Sequence, residues 1–428
     1  FWGVVITDIV QFFIAMFGSI ALAIIALNHV GGMDTLLQKL SSLLGTDIIH
    51  ENTLKFIPPI PDNSIGSLSF WESPFSKFLI FITVMWWSHH GTDGGGYIIQ
   101  RMSSAKNEKH ALLATLWFNL AHYAVRVWPW IIVGVVSIVM FPVIPDSYSE
   151  LGTKAGYPLV MNMLLGPGMK GILIVSFLAA FMSTIDTHLN WGASYIINDI
   201  YKRFFKPNES EKHYVIVSKI ITVILMILAA FTALKMQSIS KAWAFIFSMG
   251  AGIGLVLILR WFWWRINAWS EITALSTSIV ITILLETLAW WQVSAKEGVY
   301  SLFGTEPVLF GIQIQVHHKL IIIVPIAILS WLIATFITKP EPTEHLRKFY
   351  EKVQPGGWWG PITTNFKHTL QPVSEGILVQ WLAGVMMIYG FTFGIGNLIF
   401  MQYGNSILLL GCAFIGSYII WNRSISKL

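Results

Sequence analysis

Four residues of one otherwise apolar stretch carry small or hydroxyl side chains at helical spacing. At 100° per residue, one helical face presents Ala180, Ser183, Thr184 and Thr187. Their hydroxyl oxygens, together with any freed backbone carbonyls, are hard ligands of the kind that a small alkali cation accepts. Asp186 adds a full negative charge close to this face. The pattern therefore predicts a binding site for a monovalent cation.

A second carboxylate, Asp8, follows Thr7 in another apolar run. We expect it near the cytoplasmic end of its helix, where Asp8 and Asp186 could share a cation. The hydroxyls have an ordinary alternative role, which is bonding between helices or back-bonding to the preceding helical turn. That alternative is weaker for Asp186, because a buried carboxylate must find a partner or take up a proton.

Another group of polar residues surrounds the three successive glycines at 94–96. It comprises Trp87, His90, Asp93 and Tyr97. A run of glycines favours unwound backbone where the helix would otherwise continue, and broken helices at membrane depth line cavities in many transporters. The aromatic rings offer stacking faces to a solute, and the histidine and carboxylate offer polar contacts. A polar cap at the membrane surface is the alternative.

Two further charged residues lie inside apolar runs. Arg126 shares a helical face with His122, four residues earlier, and is a candidate contact for an anionic group of a solute. It could also pair with Asp93 or extend toward an interface. Glu286 has no evident partner in the sequence. The aromatic-rich residues 260–271 predict a structural turn between two spans.

Composition decides which class of protein must position these groups. Hydrophobic residues make up 55% of the 428 residues, charged residues 11%, and the mean hydropathy is +0.65. A soluble domain carries roughly 25% charged residues. The apolar runs are unbroken rather than alternating, so the sequence predicts an all-α polytopic protein in a lipid bilayer and not a β-barrel. A soluble enzyme, a partner of nucleic acid and a disordered chain are excluded.

Ten stretches are long and apolar enough to cross a hydrocarbon core about 30 Å thick. They cover about residues 1–28, 77–100, 111–141, 170–203, 213–236, 241–264, 268–294, 317–338, 376–398 and 403–422. Lys and Arg concentrate in alternate loops and at the C-terminus, which predicts a multi-pass protein of the plasma or inner membrane with a cytoplasmic C-terminus. Residues 29–76 then form an external loop, and residues 340–374 form a cytoplasmic linker.

Several motifs resemble the sodium:solute symporter family, which includes sodium–glucose, sodium–proline and sodium–sialic acid transporters. They are Val-Ile-Thr-Asp-Ile-Val-Gln at 5–11, Gly-Tyr-Ile-Ile-Gln-Arg at 96–101, Gly-Met-Lys-Gly at 168–171, Ala-Ala-Phe-Met-Ser-Thr at 179–184 and Asn-Asp-Ile-Tyr at 198–201. The similarity covers most of residues 1–265. It implies a leucine-transporter-like core of two inverted five-helix repeats and Na⁺-driven uptake by alternating access.

The resemblance also implies two sodium sites. The main one falls on Ala180, Ser183 and Thr184, and its other ligands come from a first core helix that we expect to lie outside this chain. A second site, present in some members, falls on Asp8, Ser183, Asp186 and Thr187. At Asp186 those members have a hydroxyl residue.

For the solute, the resemblance matches Tyr97 to an aromatic position and places Arg126 near a substrate lysine. Gly95-Gly96 stands where sugar transporters carry Asn-Gln. Residues 1–264 are expected to hold the last helix of the first repeat and the whole second repeat. Residues 265–428 are expected to form peripheral spans.

The sequence thus predicts a Na⁺-coupled symporter for a small polar organic solute, such as a sugar, a sugar acid or an amino acid. Its expected solute contacts are Trp87, His90, Asp93, Tyr97 and Arg126. Two alternatives from other classes are a transporter-like membrane sensor and a membrane metalloenzyme. The metalloenzyme would use His89, His90 and Asp93, although adjacent histidines on a helix point about 100° apart.

Overall fold

The computed structural model describes residues 2–45, 57–62, 65–236, 239–297, 306–364 and 376–427. Almost all regular structure in these ranges is helical, as the composition predicted. The first helices are α1 (Trp2–Val30), α2 (Gly32–Leu43), α3 (Leu68–Glu72), α4 (Pro74–Ile80), α5 (Trp86–Ser88), α6 (Gly95–Ser103), α7 (Glu108–Asn119), α8 (Trp128–Met140), α9 (Gly156–Leu164) and α10 (Pro167–Tyr195).

The second half of the chain continues in the same way. Its helices are α11 (Glu211–Lys235), α12 (Ile239–Met249), α13 (Gly254–Phe262), α14 (Ala268–Glu297), α15 (Val316–Ile337), α16 (Thr343–Val353), α17 (Gly360–Thr363), α18 (Ile377–Ile399) and α19 (Tyr403–Arg423). Wider π-helical turns occupy Phe81–Met85, Leu120–Val125 and Ile196–Phe205, and 3₁₀ turns occupy Asp146–Ala155 and Ile425–Lys427. The short strands β1 (Val308–Leu309) and β2 (Ile312–Gln313) form an antiparallel hairpin.

Eight helical segments of the described ranges are long and apolar enough to cross a membrane. They are Ile6–Val30, Glu108–Met140, Pro167–Phe205, Glu211–Leu234, Ala268–Gln292, Val316–Ile337, Ile377–Ile399 and Tyr403–Arg423. A ninth span results when α12 and α13 are taken together across their 42° bend. The sequence predicted ten, and the difference lies in residues 77–100, where the helix is interrupted.

The interruption coincides with the glycine run. Helical backbone ends with α5 and resumes with α6, and residues 89–94 between them are irregular. Gly94 and Gly95 have φ angles of +94° and +67°. This left-handed region is accessible to glycine and disfavoured for residues with a Cβ atom. The unwound backbone predicted for this segment is therefore confirmed.

One compact unit comprises residues 1–54, 116–234 and 385–417. In it, α1 packs along α10 on one side and against α8 on another. Its fully buried core includes Leu22, Ala26, Leu36, Val133 and Val136. The indole Nε1 of Trp130 on α8 donates a hydrogen bond to Ser19 Oγ on α1 at 2.9 Å. The same core holds α1 against both α8 and α10, so α1 is fixed along α10.

The other compact unit comprises residues 55–115, 235–384 and 418–428. Its most extensive helix pair is the antiparallel hairpin of α14 and α15. The buried side chains between the two helices include Ser270 and Thr335, whose hydroxyl groups form a hydrogen bond of 2.7 Å. Near the other end of the hairpin, Lys319 Nζ forms an ion pair with Glu286. The side chains of Lys319 and Glu286 are only 5% and 15% exposed. Glu286 thus has the partner that inspection of the sequence missed.

Candidate functional site

The best-defined polar contact between α1 and α10 joins two residues predicted to bind a cation. Ser183 Oγ donates a hydrogen bond to Asp8 Oδ1 at 2.5 Å. Both residues are half-buried. A carboxylate and a hydroxyl oxygen therefore face each other within the helix pair, and both are hard oxygen donors suited to a small cation.

Close approach of the two helices positions this contact. Ser176 Oγ on α10 donates to the carbonyl oxygen of Ile14 on α1 at 2.9 Å. Gly18 permits this approach, because a Cβ atom at that position would overlap Ser176 Oγ. Residues 8 and 14 meet residues 183 and 176, so the two helices run antiparallel. Small residues at such an interface let helix backbones come close together in membranes.

The face of α10 that meets α1 differs from the predicted cation face. Its buried seam includes Ser176, Ala179 and Thr187, with Ser183 half-buried between the last two. Ala180 and Thr184 are exposed, and Thr184 Oγ1 donates to the Ala180 carbonyl at 3.0 Å. The structure therefore brings Ser183 to α1, buries Thr187 on the same face of α10 and places Ala180 and Thr184 on the neighbouring side.

Asp186 and Thr187 differ sharply in their surroundings. Asp186 is exposed, and its Oδ1 accepts a hydrogen bond from Asn190 Nδ2 at 2.7 Å. Thr187 is 8% exposed, and its Oγ1 has no hydrogen-bond partner within the described part of the chain. A buried hydroxyl without a partner is uncommon in folded proteins. Thr187 Oγ1, one helical turn from Ser183, is therefore an oxygen available to a ligand.

The broken helix between α5 and α6 carries four of the predicted solute contacts. Trp87 Nε1 donates to the Thr83 carbonyl at 2.6 Å, and His90 is exposed. Tyr97 lies in α6, but its side chain is outside the described residues. Asp93 is engaged on both oxygens: Oδ1 accepts the Gly95 N–H at 3.0 Å, and Oδ2 accepts a hydrogen bond from the guanidinium of Arg260 at 2.7 Å.

The partner of Asp93 is a residue that sequence inspection had placed in a structural turn. Arg260, at the end of α13, also donates to Glu271 Oε1 at 2.9 Å and so bridges two carboxylates. The Asp93 side chain is only 9% exposed, so its charge is balanced inside the protein. The pair could have been predicted from the sequence, because each charge in an apolar segment needs a counter-charge.

A second break, between α12 and α13, lies directly against the first. A Cβ atom on Gly254 would overlap the Trp87 carbonyl and the Ser88 backbone, and one on Gly250 would lie 2.6 Å from His90 Nδ1. Only glycine allows two irregular segments to approach so closely. Ser88 Oγ is buried there without a hydrogen-bond partner in the described ranges. The two breaks together form one polar region of unwound backbone.

Arg126 follows the π-helical turn in the long span from Glu108 to Met140. Its Nη2 is 3.4 Å from His122 Nε2, its guanidinium carbon is 5.3 Å from the centre of the Trp130 ring, and its Nε is buried without a hydrogen-bond partner in the described ranges. Arg126 lies near the middle of this span of 33 residues. Extension to an interface is therefore disfavoured.

The metal-site alternative finds no geometric support. No group of three or more His, Cys, Asp or Glu side chains that could hold a metal ion occurs in the described ranges. The rings of His89 and His90 are nearly perpendicular, at 80°, with centroids 6.0 Å apart. Asp93 forms an ion pair with Arg260. These three residues do not converge on one point.

Comparisons with known proteins agree with this architecture. Residues 1–297 match the model of the sodium:solute symporter family. The sodium/glucose cotransporter 4 of Danio rerio is 24% identical over 83% of this chain and 55% of its own length. The osmoregulated proline transporter OpuE of Bacillus subtilis is 24% identical over 71% of this chain and 56% of its own length. The chain thus spans about half the length of the curated relatives it matches.

A solved structure shares the fold. It shows a substrate-bound, outward-open state of a Na⁺-coupled sialic acid symporter, with a TM-score of 0.52 and 18% sequence identity. The match covers 79% of this chain and 63% of that chain. The predicted leucine-transporter-like fold is therefore confirmed.

Proposed function

Because this chain belongs to the sodium:solute symporter family, we propose that the complete protein couples Na⁺ entry to the uptake of a small polar organic solute. The observation that carries the proposal is the 2.5 Å contact of Asp8 with Ser183 between α1 and α10. A charged residue in a membrane span is costly, which makes it a functional candidate by default. Here that charge lies against a hydroxyl oxygen, in an arrangement suited to a monovalent cation.

In the proposed mechanism, Asp8 supplies the charge that attracts Na⁺, and Ser183 and Thr187 supply neutral oxygens. The exposed side of α10 carries Ala180, Thr184 and Asp186. We assign these residues to cation binding together with other ligands that the complete protein supplies. Na⁺ and solute are coupled because both bind better to the outward-open state. One Na⁺ crossing 100 mV releases about 2.3 kcal/mol, enough for roughly fiftyfold accumulation of the solute.

We assign solute binding to Trp87, His90, Asp93 and Tyr97, which belong to one compact unit, and we assign to Arg126, in the other unit, a separate role as a contact for an anionic group of the solute. The second break brings unwound backbone close to Trp87 and His90, and Asp93 lies in the first break. Asp93 reaches a solute only when its pair with Arg260 opens, so solute binding and rearrangement of the break are linked. Relatives are named for glucose, mannose and proline, and a sugar, a sugar acid or an amino acid fits these groups.

We also propose that the protein lies in the plasma or inner membrane with its C-terminus in the cytoplasm. Short loops rich in Lys and Arg remain on the cytoplasmic side of a membrane. The connection from α10 to α11 carries Lys202, Arg203 and Lys206, Lys212 lies in the first turn of α11, and Arg423 is the last residue of α19.

The proposed function is tested by replacing Ser183 and Thr184 together with alanine in the complete protein. The Na⁺ concentration for half-maximal solute uptake into proteoliposomes should rise roughly ten- to thirtyfold, because each ligand hydroxyl contributes about 1 kcal/mol. Thr222→Ala is the matched control, since that hydroxyl only back-bonds to the Ser218 carbonyl on α11 at 2.9 Å. An unchanged Na⁺ requirement in the double variant would reject the assignment.

A further inference from the structure

Two adjacent histidines at the start of α15 bind one backbone carbonyl group. His317 and His318 are 1% and 7% exposed, and Nε2 of each ring donates a hydrogen bond of 2.9 Å to the Trp71 carbonyl oxygen. Trp71 lies near the C-terminal end of α3, where backbone carbonyls lack partners within the helix. A carbonyl oxygen has two lone pairs, so the two imidazoles saturate it. We name this arrangement of His317, His318 and the Trp71 carbonyl the histidine clasp.

The histidine clasp holds the segment that leads into the first broken helix. After α3 the chain continues through α4, the wider turn at 81–85 and α5 to the break. Next to the clasp, Leu320 and Ile323 of α15 belong to one buried cluster, against which Trp71 and Trp87 pack. Trp87 is one of the residues to which we assign solute binding. The clasp therefore fixes the beginning of the broken span on the helix that supports this residue.

The geometry of the clasp suits uncharged rings. The backbone N–H of Gln315 donates to His318 Nδ1 at 3.2 Å, so the single ring proton of His318 lies on Nε2. The centres of the His317 and His318 rings are only 3.8 Å apart. Two positive charges at that distance would repel each other strongly in a buried place. The clasp therefore forms with neutral imidazoles.

The surroundings oppose a proton on either ring. A proton on His318 Nδ1 would set one donor against another, the Gln315 N–H. A proton on the buried His317 would add a positive charge close to other positive charges. The charged groups around the clasp are Lys77 on α4, Lys319 with its partner Glu286, and the exposed Glu72. Because an imidazole in water takes up a proton near pH 6.5, acidification favours release of the clasp.

We propose that His317 and His318 are positioning residues of the solute site, which hold the broken span in place while uncharged and release it when protonated, so that solute binding weakens in acid. This inference rests on the proposed function, because it assumes that the first break binds the solute. Three spans separate the start of α15 from the cytoplasmic C-terminus, so the clasp lies on the outer side of the membrane and responds to the external pH.

The test replaces both histidines by glutamine in the complete protein, His317→Gln with His318→Gln. Glutamine keeps an N–H group that can donate to the Trp71 carbonyl, but it takes up no proton. Between pH 7.5 and pH 5.5, the melting temperature of the wild type in detergent should fall about 1–3 °C further than that of the glutamine variant. His29→Gln is the matched control, because His29 is an exposed histidine at the end of α1.

Uptake at saturating Na⁺ then connects the clasp to the solute site. The probes are radioactive glucose, mannose and proline, the solutes for which relatives are named. For each of them that is transported, lowering the external pH from 7.5 to 5.5 should raise the wild-type KM roughly tenfold, because an uncharged ring is disfavoured by that factor one pH unit below 6.5. The KM of the glutamine variant should stay constant, and His29→Gln should behave as the wild type.

Three outcomes separate the two proposals. Wild-type protein without any Na⁺-dependent stabilisation or uptake at pH 7.5 overturns the proposed function and this inference with it. Normal Na⁺-dependent uptake with the same acid sensitivity in the wild type and the glutamine variant overturns the clasp alone. Acid-sensitive melting of the wild type with a KM that does not change with pH gives the clasp a purely structural role and also overturns the inference. The single variants His317→Gln and His318→Gln provide the same comparison where the double variant does not fold.

Discussion

In the complete protein, exchanging Asp8 for asparagine should raise the Na⁺ concentration for half-maximal solute uptake about a thousandfold. A unit charge 4 Å from a monovalent ion contributes about 4 kcal/mol at an effective dielectric constant of 20, and each 1.4 kcal/mol is a factor of ten. Asparagine keeps an oxygen that can accept the hydrogen bond of Ser183. The change therefore removes charge while preserving the contact between α1 and α10, and uptake into proteoliposomes over a Na⁺ series measures it.

The control for this exchange is Asp34→Asn. Asp34 is exposed in the first turn of α2, so losing its charge should leave the Na⁺ requirement unchanged. A shift of similar size in both variants would indicate a general effect of surface charge. An Asp8→Asn protein with a wild-type Na⁺ requirement would remove Asp8 from the site.

Exchanging Lys319 for methionine should destabilise the protein by about 3–5 kcal/mol, because it leaves Glu286 buried without its counter-charge. The effect is measured as a loss of thermal stability in detergent or lipid. The double variant Lys319→Met with Glu286→Leu should recover most of this loss, since a buried ion pair replaced by apolar residues is often neutral or stabilising.

An exposed ion pair supplies the control. Lys348 and Glu344 form a 2.8 Å pair on α16, with side chains 73% and 82% exposed. Lys348→Met should cost less than about 1 kcal/mol, as is usual for surface pairs. Equal stability of Lys319→Met and wild type would show that Glu286 does not depend on Lys319.

The helices and the first break could be read from the sequence because both follow from local chemistry. A long apolar run must bury its backbone polar groups in a helix when it crosses lipid. The glycines at 94 and 95 adopt left-handed angles that interrupt such a helix. These features depend on residues close together in the chain, so one sequence is sufficient to predict them.

The pairings of charges could not be read in this way. Asp93 and Arg260 are far apart in the chain, as are Glu286 and Lys319, and their contacts depend on which helices are neighbours. Periodicity shows which residues share a face of one helix, but it does not show how far one helix is shifted along another. Lys319 was not recognised as a buried charge because it lies near the start of an apolar span, where a charged residue is common.

The side of α10 that meets α1 was predicted only in part, for the same reason. Ser183 and Thr187 do lie on the side of α10 that meets α1, while Ala180 and Thr184 are exposed. Residues three and four apart on a helix cover a broad face, and packing alone decides which edge of that face meets the neighbour.

Equilibrium binding of radioactive Na⁺ to the purified complete protein, in the absence of solute, tests most directly whether Asp8 and Ser183 hold one ion. The measurement compares wild type with Asp8→Asn, Ser183→Ala and the protein carrying both changes. Two ligands of one ion are coupled, so the loss in the double variant should be clearly smaller than the sum of the single losses. Strictly additive losses, or saturable binding of wild-type affinity in all four proteins, would contradict a shared site.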